Sequence, residues 1–506
     1  MLVESLLTNA VKQPDSIAIV DDLGSYTFKQ LRRMAVGLSR AISTQTSKDR
    51  VGLLLPSSAG FAASFYGTLL AGKSVVPINF LLGEKEIKHI VADSGIDLVL
   101  TIPLLAPRVA NTGLKVIDLV QFSAAAKEAA ALAAASGATD STPDIQIPKR
   151  DPHDLAVLMY TSGTSGLPKG VMLTFNNLET DVESAIEAAQ LKGQHNFLGI
   201  LPLFHSTGLL ATMLAPMRLG AMVVYIGRFS PVATIKAIRE HKISVMAAVP
   251  SMYGALARLK DSTPADVQTL YAPLSGGEPL PVNVREAFLH KYNKHIMEGY
   301  GLTETIGPVA VNVPHAHRPG SVGKPMPQVT VKITDDNGNA LPVGQTGEVW
   351  LKGPMIMKGY FNLPKETAEV LTADGYFKSG DLGQLDDNGY LYITGRKKDL
   401  IIVAGEKAVP REIEEALMSH PAIAEAAVVG KKDSSRGEIV VAFIVLKEGM
   451  NATSDQLRET CRSSGLASFK VPREVFYVKE LPHSPTGKVL KRILIEQLEK
   501  QDGAIA

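Results

Sequence analysis

The chain has 506 residues, of which 45% are hydrophobic and 20% are charged, and its formal net charge is +1. This composition excludes an intrinsically disordered chain. Because the chain has no long run of residues with one charge, the sequence gives no indication of a nucleic-acid partner. The length alone predicts several structural units, roughly three.

The N-terminal residues and the cysteine content indicate in which cellular compartment the protein is expected. The N-terminal MLVESLLTNAVKQPDS lacks the basic segment and apolar run of a secretory signal. Cys461 is the one cysteine, so no internal disulfide can form and a reducing compartment is favoured. We therefore expect a cytoplasmic protein.

Two long stretches without Asp, Glu, Lys or Arg, residues 51–72 and 197–217, require a test as membrane spans. Each contains proline and several small polar residues, which are typical of buried elements joined by turns rather than of a lipid-facing helix. We predict no transmembrane segment, and the sequence leaves peripheral membrane contact open.

Within the first of these stretches, residues 67–74 read GTLLAGKS and match the phosphate-binding pattern GxxxxGK[ST]. Such a loop binds phosphate when it follows a buried strand and opens a helix. Here the strand VGLLL is followed by a helix capped by Ser57 or Ser58, so Gly67 falls inside the helix and Gly72 at its C-terminal end. That end of a helix disfavours anions. We predict a structural role, with a P-loop ATPase or kinase using Lys73 as the rival.

The next elements indicate the fold class. SVVPIN (74–79) is a predicted strand, EKEIKHIVADSG (84–95) a helix and DLVLT (97–101) another strand. This alternation predicts an α/β fold with a mainly parallel sheet flanked by helices. The alanine-rich segment 123–136 is predicted to be a helix or a variable surface connection.

A second phosphate-binding candidate follows the buried strand AVLMY (156–160). The loop TSGTSGLPKG (161–170) combines glycines, which let backbone N–H groups approach phosphate oxygens, with hydroxyl donors and a lysine. An ordinary Ser/Gly-rich surface loop is the alternative. The residues concerned are Thr161, Ser162, Gly163, Thr164, Ser165, Gly166 and Lys169.

Further motifs along nearly the whole chain favour the phosphate-binding loop over the ordinary surface loop. YTSGTSGLPKG, LPLFHSTG (201–208), SGGEPLP (275–281), EGYGLTET (298–305), YFKSGDLG (376–383), TGRKKDLIIVAGEKAVPREIEE (394–415) and LPHSPTGKVLKR (481–492) stand in this order. Together they resemble the successive motifs of the adenylate-forming enzymes, which include acyl-CoA synthetases, peptide-synthetase adenylation domains and luciferases.

The resemblance implies an α/β chain with a large N-terminal domain of parallel sheets flanked by helices, residues 1–395, and a small mobile α+β C-terminal domain, residues 396–506. It also implies a two-step reaction. A carboxylate attacks the α-phosphate of ATP with Mg²⁺ present, giving acyl-AMP and pyrophosphate, and the thiol of coenzyme A then displaces AMP. Cations and oriented donors are needed because charge spreads over the phosphoryl oxygens in the first transition state.

The resemblance assigns roles to matching positions. Glu304 and Thr161 hold Mg²⁺, and Lys488 bridges the incoming carboxylate and the α-phosphate. Asp381 accepts hydrogen bonds from the ribose hydroxyls, and Arg396 contacts ribose and phosphate. Tyr300 lies against adenine. The remaining cleft-lining positions are Gly276, Gly277, Glu278, Glu298, Gly299 and Thr303.

For the second step the resemblance implies that the small domain rotates, with Lys398 as the hinge. Gly405 then lies along the channel for the pantetheine arm, and His205 lies at the mouth of the acyl pocket near the thiol, as a catalytic candidate. A satisfied core histidine is the alternative for His205. Two departures from relatives, Ile402 in place of lysine and Lys407 in place of glutamine, leave contacts in that segment open.

Residues near the expected acyl pocket limit which class of carboxylic acid the enzyme can activate. Amino-acid-activating relatives have aspartate where this chain has His205, and acetate-activating relatives have tryptophan where it has Gly301. Small or apolar residues at 206–208 and 305–310 are the expected pocket walls. We therefore expect a medium- or long-chain fatty acyl-CoA synthetase, with an aryl or other hydrophobic acid as the alternative.

Two further alternatives share the adenylation motifs. One is a ligase that loads acyl-AMP onto a phosphopantetheinyl carrier protein, and the other is an oxygenase of the luciferase type. The sequence bears neither on the oligomeric state nor on the chain length of the acid.

Overall fold

The computed structural model describes residues 2–125, 128, 146–161, 167–483 and 489–503. Most of the alanine-rich segment 123–136 lies outside these residues, so its prediction is not addressed. Two compact units are present. The first comprises Met1–Thr330 and Lys352–Phe377, and the second comprises Val331–Leu351 and Lys378–Ala506.

Strands are numbered β1 to β25 in chain order. The first thirteen are β1 (Ile17–Asp21), β2 (Gly24–Thr27), β3 (Arg50–Leu54), β4 (Ser74–Pro77), β5 (Leu98–Thr101), β6 (Lys115–Asp118), β7 (Leu155–Thr161), β8 (Lys169–Thr174), β9 (Asn196–Gly199), β10 (Val223–Tyr225), β11 (Ile243–Ala248), β12 (Ala272–Ser275) and β13 (Met297–Gly301). The others are β14 (Pro308–Val311), β15 (Lys324–Pro325), β16 (Thr330–Thr334), β17 (Gly347–Lys352), β18 (Gly359–Tyr360), β19 (Phe377–Leu385), β20 (Leu391–Arg396), β21 (Ile401–Val403), β22 (Glu406–Ala408), β23 (Ile423–Asp433), β24 (Gly437–Leu446) and β25 (Glu474–Tyr477).

Helices are numbered in the same way over the described residues. They are α1 (Leu2–Lys12), α2 (Phe28–Gln45), α3 (Ala59–Leu70), α4 (Glu84–Ser94), α5 (Phe175–Ala188), α6 (Ser206–Leu209), α7 (Ala215–Leu219), α8 (Pro231–Glu240), α9 (Pro250–Ala257), α10 (Val282–Tyr292), α11 (Pro364–Val370), α12 (Pro410–Met418), α13 (Ser454–Ser463) and α14 (Lys491–Gly503). A π-helical turn, Leu210–Leu214, joins α6 to α7.

The first unit is built on two large sheets. The described part of one has the order β18-β8-β7-β4-β3-β5-β6, and that of the other has the order β15-β14-β13-β12-β11-β9-β10-β1-β2. Their inner strands are parallel, as is the edge pair β5–β6, while the other ends of the sheets, β18-β8-β7, β15-β14-β13 and β1-β2, pair antiparallel. The predicted mainly parallel α/β architecture is therefore confirmed, with antiparallel edges added.

The second unit contains smaller sheets. Its described strands form the order β16-β17-β19-β20 in one sheet and β22-β21-β24-β23 in the other, where β25 adds to β24. The long antiparallel pair β23–β24 carries apolar residues on both faces, and separate clusters of buried side chains lie against it. This arrangement is the expected α+β type of small domain.

The stretch GTLLAGKS ends a helix, as predicted. Ser58 caps α3, with its Oγ accepting a hydrogen bond from the Phe61 N–H at 3.2 Å. Gly67 lies inside α3, and Gly72 follows its end with φ +74°. The Lys73 ammonium donates to the carbonyl oxygen of Lys48 at 2.5 Å, and β4 begins at Ser74.

The two stretches without charged residues form short elements. Residues 51–72 contain β3 and the buried helix α3, and residues 197–217 contain β9, α6 and the π-helical turn. Over the described ranges, no helix has the length and apolarity that a membrane crossing requires.

Asp181 on α5 is a fully buried acid that the sequence does not mark. Its side chain is 0% exposed, and neither carboxylate oxygen has a hydrogen-bond partner among the described residues. Burial raises the pKa of Asp181 well above its ordinary value, because a charge cannot be solvated there. A Cβ on the neighbouring Gly307 would lie 2.5 Å from the Asp181 Oδ2, so the Asp181 side chain would have to shift to admit any larger residue there.

We predict that Gly67→Ala destabilises the chain by about 1–3 kcal/mol. The added Cβ would lie 2.8 Å from the Ala35 carbonyl oxygen and 3.0 Å from the Leu38 Cβ, where α2 packs on α3. Gly37→Ala on α2 is the control, since its nearest atom is at 3.4 Å and better helix propensity should make it neutral or slightly stabilising. Urea unfolding of both variants measures this. A Gly67→Ala variant as stable as the unchanged chain would contradict the packing argument.

We predict that Asp181→Asn stabilises the chain at pH 7. Because the folded-state pKa of Asp181 is raised, the folded state binds more protons than the unfolded state above about pH 4, and the free energy of unfolding falls as pH rises from there. Asparagine keeps the shape without ionising, so the variant's advantage should shrink towards pH 4. Urea unfolding midpoints between pH 4 and 7 measure this, with the exposed Glu187→Gln on the same helix as control. If the difference in midpoint between Asp181→Asn and the unchanged chain did not vary with pH, the prediction would be wrong.

Candidate active site

Thr161 and Lys169 face each other across a β-hairpin. Thr161 ends β7, Lys169 begins β8, and the two residues are paired in the antiparallel ladder. Both are half-buried. The residues between them that carry the predicted phosphate contacts, Ser162, Gly163, Thr164, Ser165 and Gly166, lie outside the described residues, as does Lys488.

A second part of the predicted cleft forms where two parallel strands end side by side. Ser275 at the end of β12 is paired with Glu298 on β13, so the loop after β12 runs beside β13. Its predicted cleft residues are Gly276, Gly277 and Glu278, next to Gly299 and Tyr300. A Cβ on Gly276 would lie 3.5 Å from the Gly299 carbonyl oxygen, and Gly277 has φ +83°. The backbone conformation therefore favours glycine at 277, while a side chain at 276 would make an ordinary contact.

Glu298 has a structural contact in this arrangement. Its side chain is buried, at 5% exposure, and its Oε1 accepts a hydrogen bond from the Leu280 N–H at 3.1 Å. Glu298 thus ties the loop after β12 to β13.

Glu304 lies in a short 3₁₀ turn, Thr303–Thr305, directly after β13. Its Oε1 accepts a hydrogen bond from the Tyr360 hydroxyl at 2.8 Å, and its carbonyl oxygen accepts one from the Met357 N–H at 2.8 Å. Tyr360 on β18 is paired with Val171 of β8, and the Lys169 ammonium lies 5.2 Å from the centre of the Tyr360 ring. Thr161, Lys169 and Glu304, which are distant in sequence, are thereby brought into one cluster.

Tyr360 is a site residue that the sequence did not mark, because nothing in the segment around it is distinctive. Burial and the adjacent Glu304 charge raise the pKa of Tyr360. The hydroxyl therefore keeps its proton at neutral pH and is the donor to Glu304.

The predicted magnesium ligands fit the ion by their chemistry. The Thr161 hydroxyl and the Glu304 carboxylate are oxygen donors, and Mg²⁺ is commonly held by one or two such groups together with phosphate oxygens. Only one Glu304 oxygen accepts the hydrogen bond from the Tyr360 hydroxyl, and a carboxylate has further acceptor positions that a metal could use. The described residues contain no group of three or more His, Cys, Asp or Glu side chains that could hold a metal.

In the second unit, the two predicted ribose-binding residues lie together. Asp381 on β19 is paired with Arg396 on β20, and the Arg396 Nε lies 3.1 Å from the Asp381 Oδ1. Asp381 is buried, at 3% exposure. Lys398, the predicted hinge, follows in a short 3₁₀ turn. Partial burial and the neighbouring Arg396 charge lower the pKa of Lys398.

Gly405 lies at the tip of the hairpin between β21 and β22. Ala404 and Gly405 have φ +52° and +88°, the left-handed conformations that a two-residue hairpin turn requires. A Cβ on Gly405 would meet no atom within 4 Å. The hairpin borders an open groove of about 630 Å³ lined by Ile402, Gly405, Lys432, Asp433, Ser434, Arg436, Gly437 and Glu438.

The two residues that depart from relatives have separate environments. Ile402 is 40% exposed and lines this groove. The Lys407 ammonium lies 2.9 Å from the Asp336 Oδ2, in an exposed ion pair.

His205 precedes α6 and the π-helical turn. Its Nε2 is buried without a hydrogen-bond partner among the described residues, and its ring lies 4.7 Å from that of Phe204. Burial lowers the pKa of His205 to about 4, so the imidazole is neutral at neutral pH. An unpartnered buried nitrogen is a candidate for a ligand contact, and the expectation of a satisfied core histidine is not met by the described residues.

Comparison with known proteins identifies the family. The family described as AMP-binding enzyme matches residues 6–361, and its C-terminal domain matches residues 412–488. A long-chain-fatty-acid–CoA ligase from Bacillus subtilis is 36% identical over 98% of this chain and 94% of its own length. A sulfoacetate–CoA ligase from Cupriavidus necator is 35% identical over 91% and 90%.

The similarity to this family extends to proteins of known structure. The o-succinylbenzoate CoA synthetase from Bacillus subtilis, in complex with its acyl-adenylate intermediate, is 30% identical with a TM-score of 0.85 and 97% of both chains covered. The same enzyme is also known in complex with ATP and magnesium ion. The chain belongs to the AMP-binding enzyme family of the adenylate-forming superfamily and is an AMP-forming acid–thiol ligase that uses ATP and CoA.

Proposed function

We propose that this ligase activates a medium- or long-chain fatty acid as its acyl-adenylate and transfers the acyl group to coenzyme A. The observation that carries the chemistry is the cluster of Thr161, Lys169 and Glu304. It combines a hydroxyl, a cation and a carboxylate of the types needed to hold magnesium and nucleotide phosphates.

The apolar character of the predicted pocket walls supports a hydrophobic acid. Ile306 and Val309 are buried within the 305–310 wall segment, and Leu209 and Leu210, which directly follow the 206–208 segment, are buried as well. The Bacillus subtilis relative, which is 36% identical, is a long-chain-fatty-acid–CoA ligase and supports the same class of acid. An aryl acid is the second candidate, supported by the o-succinylbenzoate CoA synthetase.

In the first step, a carboxylate oxygen of the acid bonds to the α-phosphorus of ATP and the bond to pyrophosphate breaks. We assign Lys488 to the reacting carboxylate and α-phosphate, and Lys169 to the phosphates. Asp381 and Arg396 are assigned to the ribose. Magnesium bound through Thr161 and Glu304 would neutralise phosphate charge. Preformed cationic groups lower the barrier because they need no reorganisation as the charge spreads.

In the second step, the CoA thiol attacks the acyl carbonyl carbon and AMP leaves. The neutral His205 can accept a hydrogen bond from the thiol, which an imidazolium cannot do. The groove beside Gly405 carries Lys432 and Arg436, and these cations suit the phosphates of CoA. We propose this groove as the outer part of the CoA channel.

We further propose residues 1–395 and 396–506 as the moving parts, with Lys398 as the hinge. Within the second unit, the contacts that cross this position include the ion pair of Lys407 with Asp336 and a hydrogen bond of 2.6 Å from the Arg411 Nη1 to the Ile393 carbonyl oxygen. An exposed ion pair contributes about 0–1 kcal/mol. This ion pair is therefore weak enough to break when the hinge turns.

A panel of carboxylic acids tests the function. Pyrophosphate release is measured with and without free CoA, and acyl-CoA is identified by mass. We expect saturated acids of medium or long chain to give the highest kcat/KM, and free CoA to be sufficient as acceptor. Product from aryl acids alone would favour the second candidate. Adenylation without any acyl-CoA would favour a carrier protein as acceptor.

Lys73→Ala is the control for the alternative P-loop. Because Lys73 lies at the C-terminal end of α3, this variant should keep pyrophosphate release close to that of the unchanged enzyme. Loss of that activity, or release of ADP, would favour the P-loop alternative.

We predict that two variants separate the half-reactions. Lys488→Ala should slow acyl-AMP formation by roughly 10²–10³ but leave thioester formation from supplied acyl-AMP, because it removes a charge needed only at the phosphate. Lys398→Pro should do the reverse, because proline restricts the dihedral change at the hinge. Single-turnover assays of each half-reaction measure this. Equal loss in both assays for both variants would exclude the hinge proposal.

A further inference from the structure

The segment Met357–Phe361 connects the two parts of the first unit that carry the proposed metal ligands. On one side it pairs with β8, through hydrogen bonds from the Lys358 N–H to the Met172 carbonyl oxygen at 2.9 Å and from the Phe361 N–H to the Gly170 carbonyl oxygen at 2.7 Å. On the other side it holds Glu304 twice, through the Met357 N–H at 2.8 Å and the Tyr360 hydroxyl at 2.8 Å. Backbone and carboxylate of Glu304 are thus held by the same segment.

Tyr360 contacts both charged members of the cluster. Its hydroxyl donates to Glu304, while its ring lies under the Lys169 ammonium at 5.2 Å. A cation over an aromatic ring is stabilised by about 0.5–2 kcal/mol. The tyrosine therefore links the anion and the cation through two chemically separable contacts.

We propose that Tyr360 is a positioning residue that orients the Glu304 carboxylate for Mg²⁺. This inference rests on the proposed function, in which Glu304 is a ligand. A glutamate side chain has three rotatable bonds, and ordering them on metal binding lowers affinity. A hydrogen bond to one carboxylate oxygen fixes the side chain beforehand and directs the other oxygen, and such supporting contacts change metal affinity by about 10–100-fold.

Tyr360→Phe isolates the hydroxyl, because phenylalanine keeps the ring under Lys169. We expect the Mg²⁺ concentration for half-maximal pyrophosphate release to rise about tenfold or more, with kcat near that of the unchanged enzyme at saturating Mg²⁺. Calorimetry supplies a readout that does not depend on turnover. ATP binding should weaken in Mg²⁺ and remain unchanged in EDTA.

Tyr376→Phe is the matched control. Tyr376 also carries a lysine over its ring, Lys352 at 5.5 Å, in the same unit, so its variant should leave the Mg²⁺ dependence unchanged. Tyr360→Leu removes the ring as well and should also weaken ATP binding in EDTA, through the loss of support for Lys169. Urea unfolding of each variant separates a loss of stability from a loss of metal affinity.

Glu304→Gln separates failure of this inference from failure of the proposed function. If Glu304→Gln raises the Mg²⁺ requirement and Tyr360→Phe does not, the positioning role is overturned while the ligand assignment holds. If Glu304→Gln leaves the requirement unchanged, the ligand assignment fails and the inference fails with it. Equal weakening of ATP binding by Tyr360→Phe in Mg²⁺ and in EDTA would also overturn it.

Discussion

The pairing of β8 with a neighbour on each side determines how the candidate active site is assembled. On one side β8 pairs antiparallel with β7, which sets Thr161 opposite Lys169. On the other side it pairs with β18, which places Tyr360 beneath Lys169 and against Glu304. Without these ladder hydrogen bonds, nothing would hold the hairpin of Thr161 and Lys169 close to Glu304 and Tyr360, which lie far from it in the sequence. Strand pairing at the edge of a parallel sheet is thus what positions the charges.

Several buried polar atoms have no hydrogen-bond partner among the described residues, and two of the side chains concerned lie beside the segments assigned to the acyl pocket. Polar atoms in protein interiors are generally paired, since leaving them unpaired costs about 1–3 kcal/mol. His205 Nε2 and both Asp181 oxygens depart from this among the described residues. Both residues border the segments assigned to the acyl pocket: His205 immediately before α6, and Asp181 against Gly307. Next to Gly307, the buried Ile306 has φ +60°, an unfavourable conformation for a β-branched residue and one that clusters at functional sites.

The two lysine-containing glycine motifs illustrate how structural context decides chemistry. GTLLAGKS matches a phosphate-binding pattern, yet its glycines serve the packing of α3 on α2 and the turn into β4. YTSGTSGLPKG matches the family loop and connects two strands of a hairpin. For GTLLAGKS the order of elements, which the sequence indicates, is a better guide than the letters of the pattern. For YTSGTSGLPKG, which is followed by a strand and not by a helix, the companion motifs carry the prediction.

Hydrophobic runs and turn residues in the sequence determined the α/β class, the order of strands and helices around residues 51–101 and a helix cap at Ser57 or Ser58, because these depend on local conformation and on apolar periodicity. The motif series determined the family and the positions of the candidate ligands. Only the tertiary structure decided which of these residues meet. The contacts of Tyr360 and Asp181 join segments distant in the chain, and the pairing of Asp381 with Arg396 depends on the register of β19 and β20. No local pattern encodes such contacts because they arise from strand register and from burial.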